Sequence, residues 1–203
     1  MKIYHADNTR SIRVIWLCEE LQLPLDVKKI DFSPAYLASP EWRAKSPTGK
    51  VPVLEDGEIR FFESGAMMDY ILHRYGAGAL QPDASDFAAV ALYRQWCWFA
   101  EATLARPLGD IAQHTFVRPP EQRLSAVVTD ARQRSANFLT TFEEPLSKHD
   151  FLLQSGFSAA DIMLGYSLHL ADVVGIELQQ WPNLWAYYER LRNRAGFKYA
   201  IAA

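Results

Sequence analysis

The sequence predicts a small α/β domain followed by an all-helical domain. Three observations lead there. From Lys2 to Tyr75, strand and helix patterns succeed one another in the order βαβ-α-ββα. A run of breakers follows, with Gly76, Gly78, Pro82 and Asp83. Beyond it the apolar residues keep a helical period and no convincing strand occurs. The expected domains are residues 1–77 and 86–203, with no internal repeat and no low-complexity tract.

The elements can be justified in order. Residues 2–6 (KIYHA) form a first strand. Ser11 to Leu21 is a helix, with Ile12, Ile15, Trp16, Cys18 and Leu21 on one side and Glu19 and Glu20 on another. Leu25 to Asp31 alternates as a second strand, and strand–helix–strand order requires a parallel pair. Pro34, Pro40 and Pro47 then predict loop, with a short helix near Glu41–Lys45. The segment GKVPVLEDGEIRFFES (49–64) reads as an antiparallel hairpin. Val51, Val53 and Leu54 lead into Asp56-Gly57, and Ile59, Phe61 and Phe62 lead out. Ser64 to Tyr75 is a helix with Ser64 as its N-cap. Further helices are expected over Phe87–Ala105, from Pro119-Pro120 to about Glu144, over Ser158–Val174 and over Asn183–Asn193. Ser158 and Asp161 make a capping box, and Phe157 with Ile162 a hydrophobic staple. A lost cap typically costs about 1 kcal/mol.

Composition narrows the function. The chain has 203 residues, enough for one or two domains with a sizeable core. Its net charge of −3 gives no sign of nucleic-acid or anionic-membrane binding. No apolar run approaches the ~18–20 residues of a membrane span, and the first residues carry no secretory apolar region. Cys18 and Cys97 form no metal or redox motif, which favours a reducing cytoplasm and no metal. Both read as structural, Cys18 on an apolar helix face and Cys97 between Trp96 and Trp98.

Two positions carry chemistry. Pro52 stands inside a strand pattern although it has no N–H for a ladder. A trans proline at an edge strand is one reading. A cis Val51–Pro52 bond is the other, and it would turn the N–H and C=O of Val51 toward a ligand, as a sheet edge does. Glu63-Ser64 stands where a strand meets a helix start, a place with free N–H groups and a positive dipole end. Ser64 can donate to a carboxylate and Glu63 can take an ammonium. Together they suit the end of an α-amino acid.

In order along the chain, NTRSIRVIWLCEEL, SPTGKVPVLEDGEIRFFESGAMMDYI, SGFSAADIML and WPNLWAYYERLRNR resemble glutathione transferases. The resemblance, to cytosolic enzymes of the bacterial type with a serine- or threonine-like site, covers essentially the whole chain. It implies a thioredoxin-like N-terminal domain, an all-α C-terminal domain and a homodimer. It implies that Pro52 is cis, that Val51 pairs with the cysteinyl backbone of glutathione, and that Glu63 and Ser64 hold the γ-glutamyl end. Lys50 would reach the glycine end, and its cation suits a carboxylate. Glutathione would be the co-substrate and a small apolar electrophile the second partner.

Such an enzyme needs a thiol activator. A free thiol has a pKa near ~8.5, so little thiolate is present at neutral pH. Lowering it by about two units takes about 2.7 kcal/mol, and one hydrogen bond to a charged acceptor supplies about 1.5–3 kcal/mol. The donor is expected at the start of the first helix, from Asn8, Thr9 or Ser11, with Thr9 favoured for its hydroxyl. Tyr4 falls too early to be a tyrosine activator, and His5 reads as a strand-packed histidine. In the helical domain, Arg106, His114 and Phe116 are candidate contacts for the electrophile. Two other readings keep the fold. One is a glutathione-dependent disulfide reductase or peroxidase, and the other is a non-catalytic scaffold.

Overall fold

Short apolar alternations build a four-stranded sheet in the computed structural model, which describes residues 1–203. The strands are β1 (Lys2–His5), β2 (Asp26–Lys29), β3 (Val53–Asp56) and β4 (Ile59–Phe62), in the order β2-β1-β3-β4. β1 and β2 are parallel, and β3 is antiparallel to both β1 and β4. The helices of this unit begin with α1 (Ser11–Glu20), α2 (Pro34–Ala38), α3 (Pro40–Lys45) and α4 (Ser64–Tyr75). Ile3, Val53 and Leu54 of the sheet are buried, as are Ile12, Ile15 and Leu17 of α1 and Met67, Ile71 and Leu72 of α4. Topology and composition are those of the expected thioredoxin-like domain.

Two local expectations are corrected. Pro34 and Pro40 do not merely break structure. Each is the first residue of a short helix capped by the preceding serine, with Ser33 Oγ accepting from Tyr36 N and Ser39 Oγ from Trp42 N, both at 3.2 Å. Proline suits that place because its missing N–H would have had no helical acceptor. Ser64 is not the N-cap of α4. Glu63 occupies that place, at φ 76° and ψ 107°, and Ser64 is the first helical residue.

The helical unit spans Gln81–Arg192. It contains α5 (Phe87–Trp98), α6 (Ala105–Ala112), α7 (Ser125–Thr140), α8 (Glu143–Leu146), α9 (Ala159–Val173) and α10 (Pro182–Arg192). π-helical stretches at Phe99–Leu104 and Gln113–Val117 carry the first run on past the expected end at Ala105. The helix expected from Pro119 begins only at Ser125, after a single 3-10 turn at Pro120–Gln122. Arg118 (ψ 146°) and Pro119 (ψ 145°) are extended because each precedes a proline, whose ring disfavours helical backbone there. The capping box of α9 forms as expected, with Ser158 as N-cap.

The last helix, α11 (Ala195–Ala202), belongs to the first unit, which comprises Met1–Leu80 and Asn193–Ala203. It packs on α1. Phe197 meets Trp16 edge to face, with ring centroids 5.0 Å apart. Arg194 donates through Nε and Nη2 to the two carboxylate oxygens of Glu20, each at 2.7 Å, and Trp16 Nε1 donates to Glu20 Oε1 at 2.8 Å. Burial alone would raise the Glu20 pKa, but these donors and the Arg194 charge prevail and hold it below its ordinary value. A depressed carboxylate pKa stabilises the fold above the unfolded value and stops doing so as pH falls through the folded one. Wild type should therefore lose more stability than Glu20→Gln on acidification from about pH 5 to about pH 3. Parallel urea midpoints for the two proteins across that range would show that the carboxylate charge contributes nothing.

Candidate active site at one end of the sheet

The registers bring three loops together within the first unit. Tyr4 faces Val53, and Val53 faces Phe62. Continued by one residue, these registers lead to His5, Pro52 and Glu63. The 6–10 loop, the Lys50–Pro52 segment and the start of α4 thus share the same end of the sheet.

The Val51–Pro52 peptide bond is cis, as the resemblance implied. Val51 lies just before β3, and neither its N–H nor its C=O is taken by the sheet or by a neighbouring loop. Ser46 fixes the approach to it. The buried Ser46 hydroxyl donates to Lys50 O at 2.8 Å and accepts Lys50 N–H at 3.0 Å. Gly49 makes the intervening turn at φ 68°, and a Cβ there would fall 2.6 Å from Arg43 Cζ. The Lys50 side chain is exposed.

At the start of α4, Met67 N–H closes the first turn on Glu63 O at 3.0 Å. The N–H groups of Ser64, Gly65 and Ala66 precede any intrahelical acceptor, so they and the helix dipole favour an anion. Arg13, fully buried in α1, donates through Nη1 to Ser64 Oγ at 3.3 Å. Because that oxygen accepts from Arg13, its own proton can point outward. Glu63 is exposed beside it.

The thiol-activator candidates sit at the third loop. Thr9 Oγ1 donates to Ala6 O at 2.6 Å and lies 2.6 Å from Ser11 Oγ. Ser11 Oγ lies 2.7 Å from His5 Nδ1. Ser11 is 0% exposed, which keeps it from touching a ligand directly. Thr9 is half-buried, and Asn8 is exposed at φ 57°. Tyr4 donates its hydroxyl to Glu55 at 3.3 Å, and burial and the Glu55 charge raise its pKa. Burial pushes the Cys18 thiol up to about 12, which keeps it protonated and inert. The Ser46 bracing of Lys50 and the His5–Ser11 contact carry no local mark in the sequence, because their partners are set by folding.

In the helical unit, Arg106 is exposed with Asp110 3.8 Å away. His114 Nδ1 accepts Leu124 N–H at 3.0 Å, so this ring holds the turn before α7. Phe116 is 57% exposed, close in sequence to the exposed Val117. No group of three or more His, Cys, Asp or Glu side chains is placed to hold a metal, and no helix is long and apolar enough to cross a membrane.

A thioredoxin-like domain with an anion-receptive helix start and an unspent strand register, followed by a helical domain, defines a class of proteins suited to a small extended ligand with an anionic end. Comparison with known proteins makes this specific. Residues 1–73 match the family model for the glutathione S-transferase N-terminal domain, and residues 125–190 that for the C-terminal domain. Glutathione S-transferase 3 of Schizosaccharomyces pombe is 33% identical over 102 residues, 50% of this chain and 41% of that protein. Glutathione S-transferase F10 of Arabidopsis thaliana is 25% identical over 207 residues, 98% of this chain and 94% of that protein. The crystal structure of the theta-class glutathione S-transferase of Xanthomonas axonopodis pv. citri with glutathione bound superposes with a TM-score of 0.86 at 28% identity, covering 100% of this chain and 97% of that one. The chain belongs to the glutathione S-transferase family and is a glutathione transferase.

Proposed function

We propose that the first unit binds glutathione and holds its thiol ionised for attack on small apolar electrophiles. The observation that carries this reading is the meeting of Val51, with its backbone donor and acceptor both unspent, and the α4 start at one end of the sheet. Val51 would pair with the cysteinyl backbone in strand fashion. The Ser64 hydroxyl and the first α4 amides would take the γ-glutamyl carboxylate, Glu63 the ammonium, and Lys50 the glycine carboxylate. Thr9, the half-buried hydroxyl of the third loop, would donate to the thiolate. Asn8 is the other group there that reaches solvent. Catalysis is then positioning plus electrostatic stabilisation of the nucleophile. The helical unit carries exposed apolar side chains, Phe116 among them, of a kind that suits an apolar electrophile. The working form is a cytoplasmic homodimer.

The test is the ultraviolet thiolate absorbance of bound glutathione against pH. Wild type should show a thiol pKa about two units below the free value near ~8.5, and Thr9→Ala should raise it by at least one unit. A low pKa unmoved in Thr9→Ala but raised in Asn8→Ala transfers the role to Asn8. Binding with an unshifted pKa overturns the transferase reading.

A further inference from the structure

A count of protons along the buried chain behind Thr9 assigns a role to His5. Three contacts run in series. Ala6 O lies 2.6 Å from Thr9 Oγ1, Thr9 Oγ1 lies 2.6 Å from Ser11 Oγ, and Ser11 Oγ lies 2.7 Å from His5 Nδ1. All three are hydrogen-bond distances, and each contact needs one proton between its two atoms. Two hydroxyls supply two protons, and the carbonyl supplies none. The third must come from His5 Nδ1. The donors therefore run one way, from His5 to Ser11, from Ser11 to Thr9, and from Thr9 to Ala6 O.

We infer that His5 is a positioning residue for thiol activation: its Nδ1–H anchors a relay through Ser11 that leaves the Thr9 proton free to turn from Ala6 O to the thiolate of bound glutathione. This rests on the reading of Thr9 as the donor. With Nδ1 bare, Ser11 would donate to His5, and the single Thr9 proton could serve Ser11 or Ala6 O but not both, so one of the three short contacts would lack a proton. In the assigned direction Thr9 accepts from Ser11 while it donates, and hydrogen bonds in series strengthen one another. No proton crosses the relay. The thiol's proton leaves to solvent, and the chain only orients donors toward the sulfur.

Acceptors on the other side of the ring compete for its proton. Nε2 lies 3.5 Å from Asp7 Oδ1, and the Ala203 backbone can also accept from the ring. Asp7 is exposed and already paired with Lys29 at 2.6 Å. Its long contact is a weaker claim on the ring proton than the 2.7 Å contact at Nδ1. Burial lowers the His5 pKa, with Asp7 opposing and Lys29 assisting, so near neutral pH the ring carries a single proton whose position matters. His5 is 2% exposed, which shields that choice from solvent.

Two measurements test the inference. Long-range proton–nitrogen correlation spectra of ¹⁵N-histidine-labelled wild type with glutathione bound should show His5 protonated at Nδ1. A neutral ring protonated only at Nε2 overturns the inference. In the second measurement, Ser11→Ala cuts the relay while keeping the Thr9 hydroxyl. Its bound thiol pKa should rise by a few tenths of a unit, less than in Thr9→Ala, and glutathione affinity should stay close to wild type, while the thermal midpoint falls because the His5 Nδ1–H loses its buried acceptor. A Thr9→Ala shift with no Ser11→Ala shift sinks the relay but keeps Thr9 as donor. No shift in either variant removes the Thr9 reading itself, and the relay with it.

Discussion

Replacing Asp161 by alanine should destabilise the helical unit by about 3 kcal/mol or more, well beyond the ~1 kcal/mol of an ordinary lost cap. The carboxylate is 0% exposed and accepts four hydrogen bonds. Oδ1 takes Leu152 N–H and the Tyr187 hydroxyl, both at 2.9 Å. Oδ2 takes Ser158 N–H at 2.8 Å and the Ser158 hydroxyl at 3.0 Å. The hydroxyls can rotate toward other acceptors, but the two backbone N–H groups cannot. Each orphaned buried donor costs about 1–3 kcal/mol. Burial raises the Asp161 pKa and the four donors oppose it, so the group is held by its partners at some desolvation cost. Asp161→Asn should be intermediate. It keeps volume and one acceptor oxygen, but its amide N–H₂ must face one of the two donor pairs. Urea unfolding should show a lower midpoint for alanine than for asparagine, at an unchanged slope. A midpoint for Asp161→Ala equal to wild type would refute the hub role. The partners of Asp161 all lie in the helical unit, so the thiol pKa of glutathione bound to folded protein should stay at its wild-type value.

The second large effect is expected from one methyl group. Gly196→Ala puts a Cβ 2.7 Å from Trp16 Cδ1, 3.0 Å from Glu20 Oε1 and 3.1 Å from Trp16 Nε1. Trp16 is 0% exposed, and Glu20 is tied to Arg194 and to the indole, so neither can move without breaking the α1–α11 contact. Two terms compete. Alanine gains up to ~1 kcal/mol of helix propensity over glycine, and less in a first turn, while overpacking costs about 1–3 kcal/mol. Overpacking wins because the neighbours are a rigid ring and a doubly bonded carboxylate. The α11 amides should exchange faster with solvent in Gly196→Ala, and the urea midpoint should fall. A variant as stable as wild type, with α11 still protected, would mean that Trp16 can yield.

Much of this was legible without coordinates. The βαβ unit and the hairpin follow from alternation and from Asp56-Gly57. The capping box of α9 follows from Ser158 and Asp161, because each signal lies within a few residues of its effect. Pro52 announced itself by standing where a ladder donor belongs. The misreadings were local contests that sequence alone leaves open. Pro34 and Pro40 can break a helix or begin one, and a serine cap decides which. Ser64 suits a cap by residue type, yet it is the first helical residue, and Glu63 stands in the cap position with no side-chain cap bond.

By itself the sequence determined the class of fold, the order of its elements and the residue types at the sheet end, since these depend on periodicity and on short-range backbone chemistry. Tertiary structure decided the rest. It put α11 on α1 through Gly196, buried Arg13 behind Ser64, and spread one carboxylate at Asp161 over four donors. It also set His5, Ser11 and Thr9 in one line of hydrogen bonds. In each of these cases the partners are brought together, or given their direction, only when the sheet registers and the helices dock. Burial then turns weak polar contacts into ones that cannot be left unmade.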